Sequence, residues 1–121
     1  MTASLITGGR ASIPPVTLAA LLHNIDTFDV HLTRRTATIR VHVGHYMLRT
    51  QQLPTGGWVL ASVTEHRADG PPAVGLVLTE LSPALRTPLD AITQQLRTQL
   101  GTEHEMRIRL TQGTAICIQA Q

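Results

Sequence analysis

The sequence predicts an α+β domain: an antiparallel sheet of about six strands with two helices packed on one face. Three observations predict it. Apolar residues recur with period two through most of residues 28–80 and again after residue 106, while residues 15–25 and 88–100 carry them at helical spacing. The turns between the period-two runs, Pro54-Thr55-Gly56-Gly57 and Asp69-Gly70-Pro71-Pro72, are too short for parallel crossovers. A length of 121 residues, 42% hydrophobic and 15% charged, fits one domain, 1–121, with no repeat, linker or low-complexity segment.

Residues 1–12 are rich in Ser, Thr and Gly and read as a flexible arm or a short edge strand. Gly8-Gly9-Arg10 is not a phosphate loop, because neither a flanking strand nor a Gly-Lys-Ser/Thr element accompanies it. Pro14 and Pro15 suit the first turn of a helix over 15–25, whose stripe is Leu18, Leu21, Leu22 and Ile25. Ala37, Ile39, Val41 and Val43 then alternate with Thr38, Arg40 and His42, a half-buried strand, and Gly44 turns the chain into a strand over 46–52. Residues 58–66 and 73–80 complete a meander. Thr87-Pro88-Leu89-Asp90 has the pattern of a helix start, with Thr as N-cap, Pro at N1 and an acid at N3, and Gly101 supplies the stop. Met106, Ile108 and Leu110 alternate with Arg107 and Arg109, and after Gln112-Gly113 the segment Ala115 to Gln119 reads as the last strand.

Composition narrows the function classes. No apolar run reaches the roughly 20 residues of a membrane-spanning helix and no signal peptide is evident, so the expectation is a cytoplasmic protein with no membrane partner. The pI of about 9.5 results from using ten Arg and no Lys, for the net charge is only +2. With Phe28, Tyr46 and Trp58 as the only aromatics there is no stacking platform, which argues against nucleic acid. Arg34, Arg35, Arg40, Arg107 and Arg109 would form a basic stripe only if their hairpins lay side by side. Cys117 stands alone in an apolar run, which excludes an internal disulfide and a Cys-x-x-Cys motif. His42 and His45 fall on opposite faces of a strand, and Glu103-His104-Glu105 reads as a solvated cluster, so neither a metal nor a cofactor is expected. There is no Gly-x-Ser-x-Gly elbow and no spacing that suggests a triad.

Several patches, in order, resemble the chorismate pyruvate-lyase family, whose fold is shared by the ligand-binding domains of certain transcription regulators. They are Tyr46-Met47-Leu48-Arg49 running to Gly57-Trp58-Val59-Leu60-Ala61, then Thr87-Pro88-Leu89, then Arg107-Ile108-Arg109-Leu110-Thr111 followed by Ala115 to Gln119. The resemblance spans roughly residues 18–121 and implies a pocket for a small aromatic or cyclic carboxylate. It assigns Arg49 as the carboxylate anchor, Gln119 as a polar contact on the last strand, and the main chain at Val41-His42 as donors to the ligand. Gln119 stands where the family has a catalytic Glu, and an amide cannot serve as an ordinary general acid, so the implication is ligand binding with any carbon–oxygen lyase chemistry in doubt. Asp90 replaces the family's Gly, and the chain lacks segments that cover the pocket. The residues alone leave alternatives open: Arg49 as a solvated strand residue paired with an acid such as Glu65, and Gln119 as a frayed terminus. A second reading, from low charge and few aromatics, is an interaction or regulatory module that forms a homodimer or binds a partner.

Overall fold

Period-two alternation becomes a single sheet in the computed structural model, which describes residues 6–7, 9–100 and 105–111. In chain order the elements are β1 (Ile6–Thr7), β2 (Arg10–Ala11), α1 (Pro15–His23), β3 (Thr27–Leu32), β4 (Ala37–Val43), β5 (Tyr46–Gln52), β6 (Trp58–Glu65), β7 (Ala73–Glu80), α2 (Pro83–Leu100) and β8 (Met106–Thr111). The sheet order is β1-β2-β7-β6-β5-β4-β3-β8. Strands β3 to β7 form an antiparallel meander, α2 crosses over one face, and β8 returns to pair antiparallel with β3. The α+β class with both helices on one face therefore holds, with eight described strands against about six expected.

The differences have local causes. Ile6–Thr7 and Arg10–Ala11 form two short strands at one side of the sheet, the second meeting β7 in the one parallel pairing among the described residues, Arg10 opposite Leu76. That contact needs Gly75, because a Cβ there would lie 2.9 Å from the backbone of Arg10 and Ala11. Strand β3 follows α1 closely and pairs β4 along its whole length. Helix α2 starts at Ser82-Pro83, five residues before the expected Thr87-Pro88 start, with the Arg86 N–H donating to the Ser82 carbonyl at 3.1 Å. Thr87 is thus inside the helix, where its hydroxyl donates to the Pro83 carbonyl at 2.8 Å, and Pro88 is tolerated in the second turn. The strand expected over 115–119 lies outside the described residues.

The core lies between the sheet and the helices. Phe28, Val30 and Leu32 on β3, Ile39 and Val41 on β4, Leu48 on β5, and Trp58, Leu60 and Val63 on β6 are buried with Leu18 and Ile25 and with Leu89, Ile92 and Leu96 of α2. Trp58 is fully enclosed, and its indole N–H donates to Asp90 Oδ1 at 2.6 Å, tying β6 to α2. Arg97 of α2 donates to the carbonyls of Thr33 and Thr36, both at 2.9 Å, and so anchors the β3–β4 turn. A bulge at Ala61 lets Leu60 point to the core while Ser62, two residues on, points to the other face.

Candidate functional site

The other half of the alternation builds the sheet face turned away from the helices. Thr27, Asp29 and His31 alternate with Phe28, Val30 and Leu32; Thr38, Arg40 and His42 alternate with Ala37, Ile39 and Val41; Arg107 and Arg109 alternate with Met106, Ile108 and Leu110. Strand pairing then fixes which side chains meet. Arg109, Asp29, Arg40, Arg49, Ser62 and Leu76 form one row across β8, β3, β4, β5, β6 and β7. The next row is Thr111, Thr27, His42, Met47, Thr64 and Val74.

Asp29 is the hub at one end. Arg109 donates to it through Nε at 2.7 Å and Nη2 at 3.1 Å, and the His42 ring bonds the same carboxylate through Nε2 at 2.7 Å. The Arg109 hydrogen bond holds the Asp29 carboxyl below its ordinary range, against the opposing pull of burial and with His42 adding to the effect. Beside it, Glu105 receives His31 Nε2 at 2.7 Å and Arg107 Nη2 at 3.4 Å, and the His31 contact lowers its carboxyl in the same way. Asp29, His31, Arg40, Arg107 and Arg109 line an open groove of about 330 Å³.

Arg40 and Arg49 stand directly opposite one another on β4 and β5, and among the described residues neither has an acidic partner. Glu65, the acid that could have neutralised Arg49, instead neighbours Tyr46 and Arg67; burial, with Glu65 adding, raises the Tyr46 hydroxyl. Arg49 is half-buried, and its Nε is fully enclosed with no hydrogen-bond partner. Two like charges face each other, one carrying an unused buried donor, while Arg107 and Arg109 on the same face are each bonded to an acid.

Of the residues singled out from sequence, Arg49 and His42 share this open face. The Val41 side chain points into the core, and β4 has a partner on each side, so the main chain at Val41 and His42 sits within the ladders. Gln119 and Cys117 lie outside the described residues. Between sheet and helices Trp58, Leu60, Leu89 and Leu96 fill the space, each with 1% exposure or less. The residues of this face that the sequence did not single out are Asp29 and His31, whose signal was the polar half of the Thr27–Leu32 alternation. The described residues contain no group of three or more His, Cys, Asp or Glu able to hold a metal, and no helix long and apolar enough to cross a membrane. Comparison with protein-family models, with curated proteins and with solved structures returns no match.

Proposed function

We propose that the chain is a small-molecule-binding domain that grips the carboxylate of an aromatic or cyclic, chorismate-like acid on the open sheet face, Arg49 and Arg40 forming the grip. The observation that carries this reading is the enclosed, unpartnered Nε of Arg49 opposite an Arg40 that makes no ion pair among the described residues, the Asp29 across from it on β3 being bonded to Arg109 and His42. An unmade buried donor costs about 1–3 kcal/mol, and like charges directly opposite in a sheet are unfavourable. A bound carboxylate offsets the like charges by accepting from two guanidinium groups at once, and satisfies the enclosed Nε once the Arg49 side chain turns outward to meet it. His42 contributes by positioning Asp29, which keeps Arg109 occupied and leaves Arg40 and Arg49 for the ligand.

The reading is of binding without turnover. Asp29 and Glu105 are held ionised by their cationic neighbours and are poor proton donors near neutrality. Nucleic acid is less well supported, although β3, β4 and β8 do lie side by side, because Asp29 and Glu105 neutralise Arg109 and Arg107. That leaves one paired cationic spot instead of a track for successive phosphates. A cytoplasmic setting agrees with the single cysteine.

Thermal unfolding with 4-hydroxybenzoate and with chorismate tests the proposal. At a hundredfold excess over its dissociation constant the ligand stabilises by about 2.7 kcal/mol. No shift at millimolar concentrations overturns the reading, and a shift that survives Arg49→Ala unchanged moves the anchor elsewhere. The second reading, a homodimeric or partner-binding module, draws on the exposed Val74, Leu76 and Leu78 of β7. Light scattering across a concentration series is its test.

A further inference from the structure

The open face changes character from one edge to the other. In the row described above, Arg40 and Arg49 are followed by the small Ser62, then by Leu76, with Arg10 of β2 opposite Leu76 at the far end; in the next row His42 and Met47 are followed by Thr64 and Val74. Ser62 and Thr64 are each only 8% exposed, low points between longer side chains on β5 and β7. Beyond them Val74 is 54%, Leu76 60% and Leu78 72% exposed, the largest apolar exposure on the sheet. Leu78 is also the one described non-glycine residue with positive φ, at 56°, next to the register shift between β6 and β7.

A second copy of the chain is a poor occupant for this strip. Three side chains offer on the order of 300 Å², within the range of a functional patch on a monomer. A stable dimer buries about 800 Å² per partner. Stacking two such faces also sets arginine against arginine or, with the sheet reversed, arginine against Leu76 and Val74. An arginine pair two strands away from an apolar strip, with low Ser62 and Thr64 between them, suits a molecule with an acid at one end and an apolar body. Strands lie about 4.8 Å apart, so Leu76 is about 10 Å from Arg49 along the row.

We infer that the ligand of the Arg40–Arg49 site is an amphiphilic carboxylate whose apolar body, about 10 Å long, crosses β6 and rests on Leu76 and Val74. The inference depends on the arginine grip proposed above and adds the class of ligand. An alkyl or arylalkyl acid of about eight carbons has the required reach. Its acid group meets the guanidinium pair, its body passes over Ser62 and Thr64, and its end covers apolar surface that otherwise faces water.

Calorimetric titration of the full chain with butanoate, octanoate and octanol tests this. A methylene fully removed from water is worth about 0.8 kcal/mol, or about fourfold in affinity, and about half that free energy, or twofold, suits an open sheet face. Octanoate is therefore expected to bind roughly tenfold or more tighter than butanoate and at least tenfold tighter than octanol. Leu76→Ser, at an exposed position, is expected to narrow the gap between octanoate and butanoate severalfold; Arg49→Gln is expected to weaken both acids. Equal affinities for the two acids overturn the amphiphile inference and leave the arginine grip standing, as does a gap that Leu76→Ser leaves intact. No binding of either acid overturns the grip itself. A dimer that Leu76→Ser abolishes, with no dependence on chain length, assigns the strip to protein contact and overturns the inference.

Discussion

Arg49→Met separates the demands of a binding site from those of a stable fold. The substitution keeps an unbranched stem over β5 and removes two unfavourable features of the unliganded protein. One is the enclosed Nε with no acceptor, which costs about 1–3 kcal/mol. The other is the like-charge pairing with Arg40, about 0.2–1 kcal/mol for residues directly opposite. With part of this offset by the loss of a well-hydrated guanidinium tip, the net expectation is a stabilisation of about 1–2 kcal/mol. For 121 residues the unfolding entropy is about 0.25 kcal/mol/K, so the melting temperature rises by about 4–8 °C. In urea, with a slope of about 1.5 kcal/mol/M, the midpoint moves up by about 1 M at unchanged slope. Arg40→Met, at an exposed residue, removes the repulsion from Arg49 together with the attraction to Asp29 opposite it on β3, and so leaves stability within roughly a few tenths of a kcal/mol of wild type. The assay is paired thermal and urea unfolding of wild type and both variants, with and without 4-hydroxybenzoate. A fall in melting temperature for Arg49→Met shows that the arginine supports the fold and refutes its assignment to ligand binding at the expense of stability.

Two further substitutions probe the residues around the site. Asp29→Asn removes a carboxylate whose pKa is lowered in the folded state, chiefly by Arg109. A depressed carboxyl stabilises the fold above its unfolded value, about 3.9, and that contribution is lost as pH falls through the lower folded value. Urea midpoints measured from pH 6 down to pH 2 should therefore drop less steeply in Asp29→Asn than in wild type; identical profiles would show that the Arg109–Asp29–His42 cluster contributes nothing to acid sensitivity. Trp58→Phe deletes the indole N–H that donates to Asp90 at 2.6 Å and leaves that carboxylate without its donor. The expected loss is about 1–3 kcal/mol by chemical denaturation, and a loss below about 0.5 kcal/mol refutes a structural role for this bond.

Much of the fold was legible because a half-buried strand fixes its own facing. A one-residue slip would send every side chain of β4 to the wrong face, so the alternation of Ala37, Ile39, Val41 and Val43 is nearly an instruction. The start of α2 was not legible in this way, since Ser82-Pro83 and Thr87-Pro88 carry the same signal. What decides is the apolar stripe, which extends back from Leu89 to Leu85 and is followed at the other end by Ile92 and Leu96. A Pro in the second turn was affordable because the core-facing contacts are kept. The bulge at Ala61 had no signature, because Leu60-Ala61-Ser62-Val63 alternates with neither period.

The site divides along the same line, between local and distant pairing. Gly44, with φ of 55°, makes a two-residue connection in which Val43 faces Tyr46. Each step back along β4 then matches one step forward along β5, and the third step sets Arg40 opposite Arg49. The central pair of the proposed site is therefore a consequence of one tight turn and the strand pattern around it. Asp29 and Arg109, by contrast, are joined only after α2 carries the chain across the core and β8 docks on β3. No local pattern fixes a pairing eighty residues apart, and it is this pairing that makes Arg109 unavailable while Arg40 stays open. The proposed specificity for one acidic group over a chain of them thus resides in the long-range half of the topology, the half that composition and periodicity could not supply.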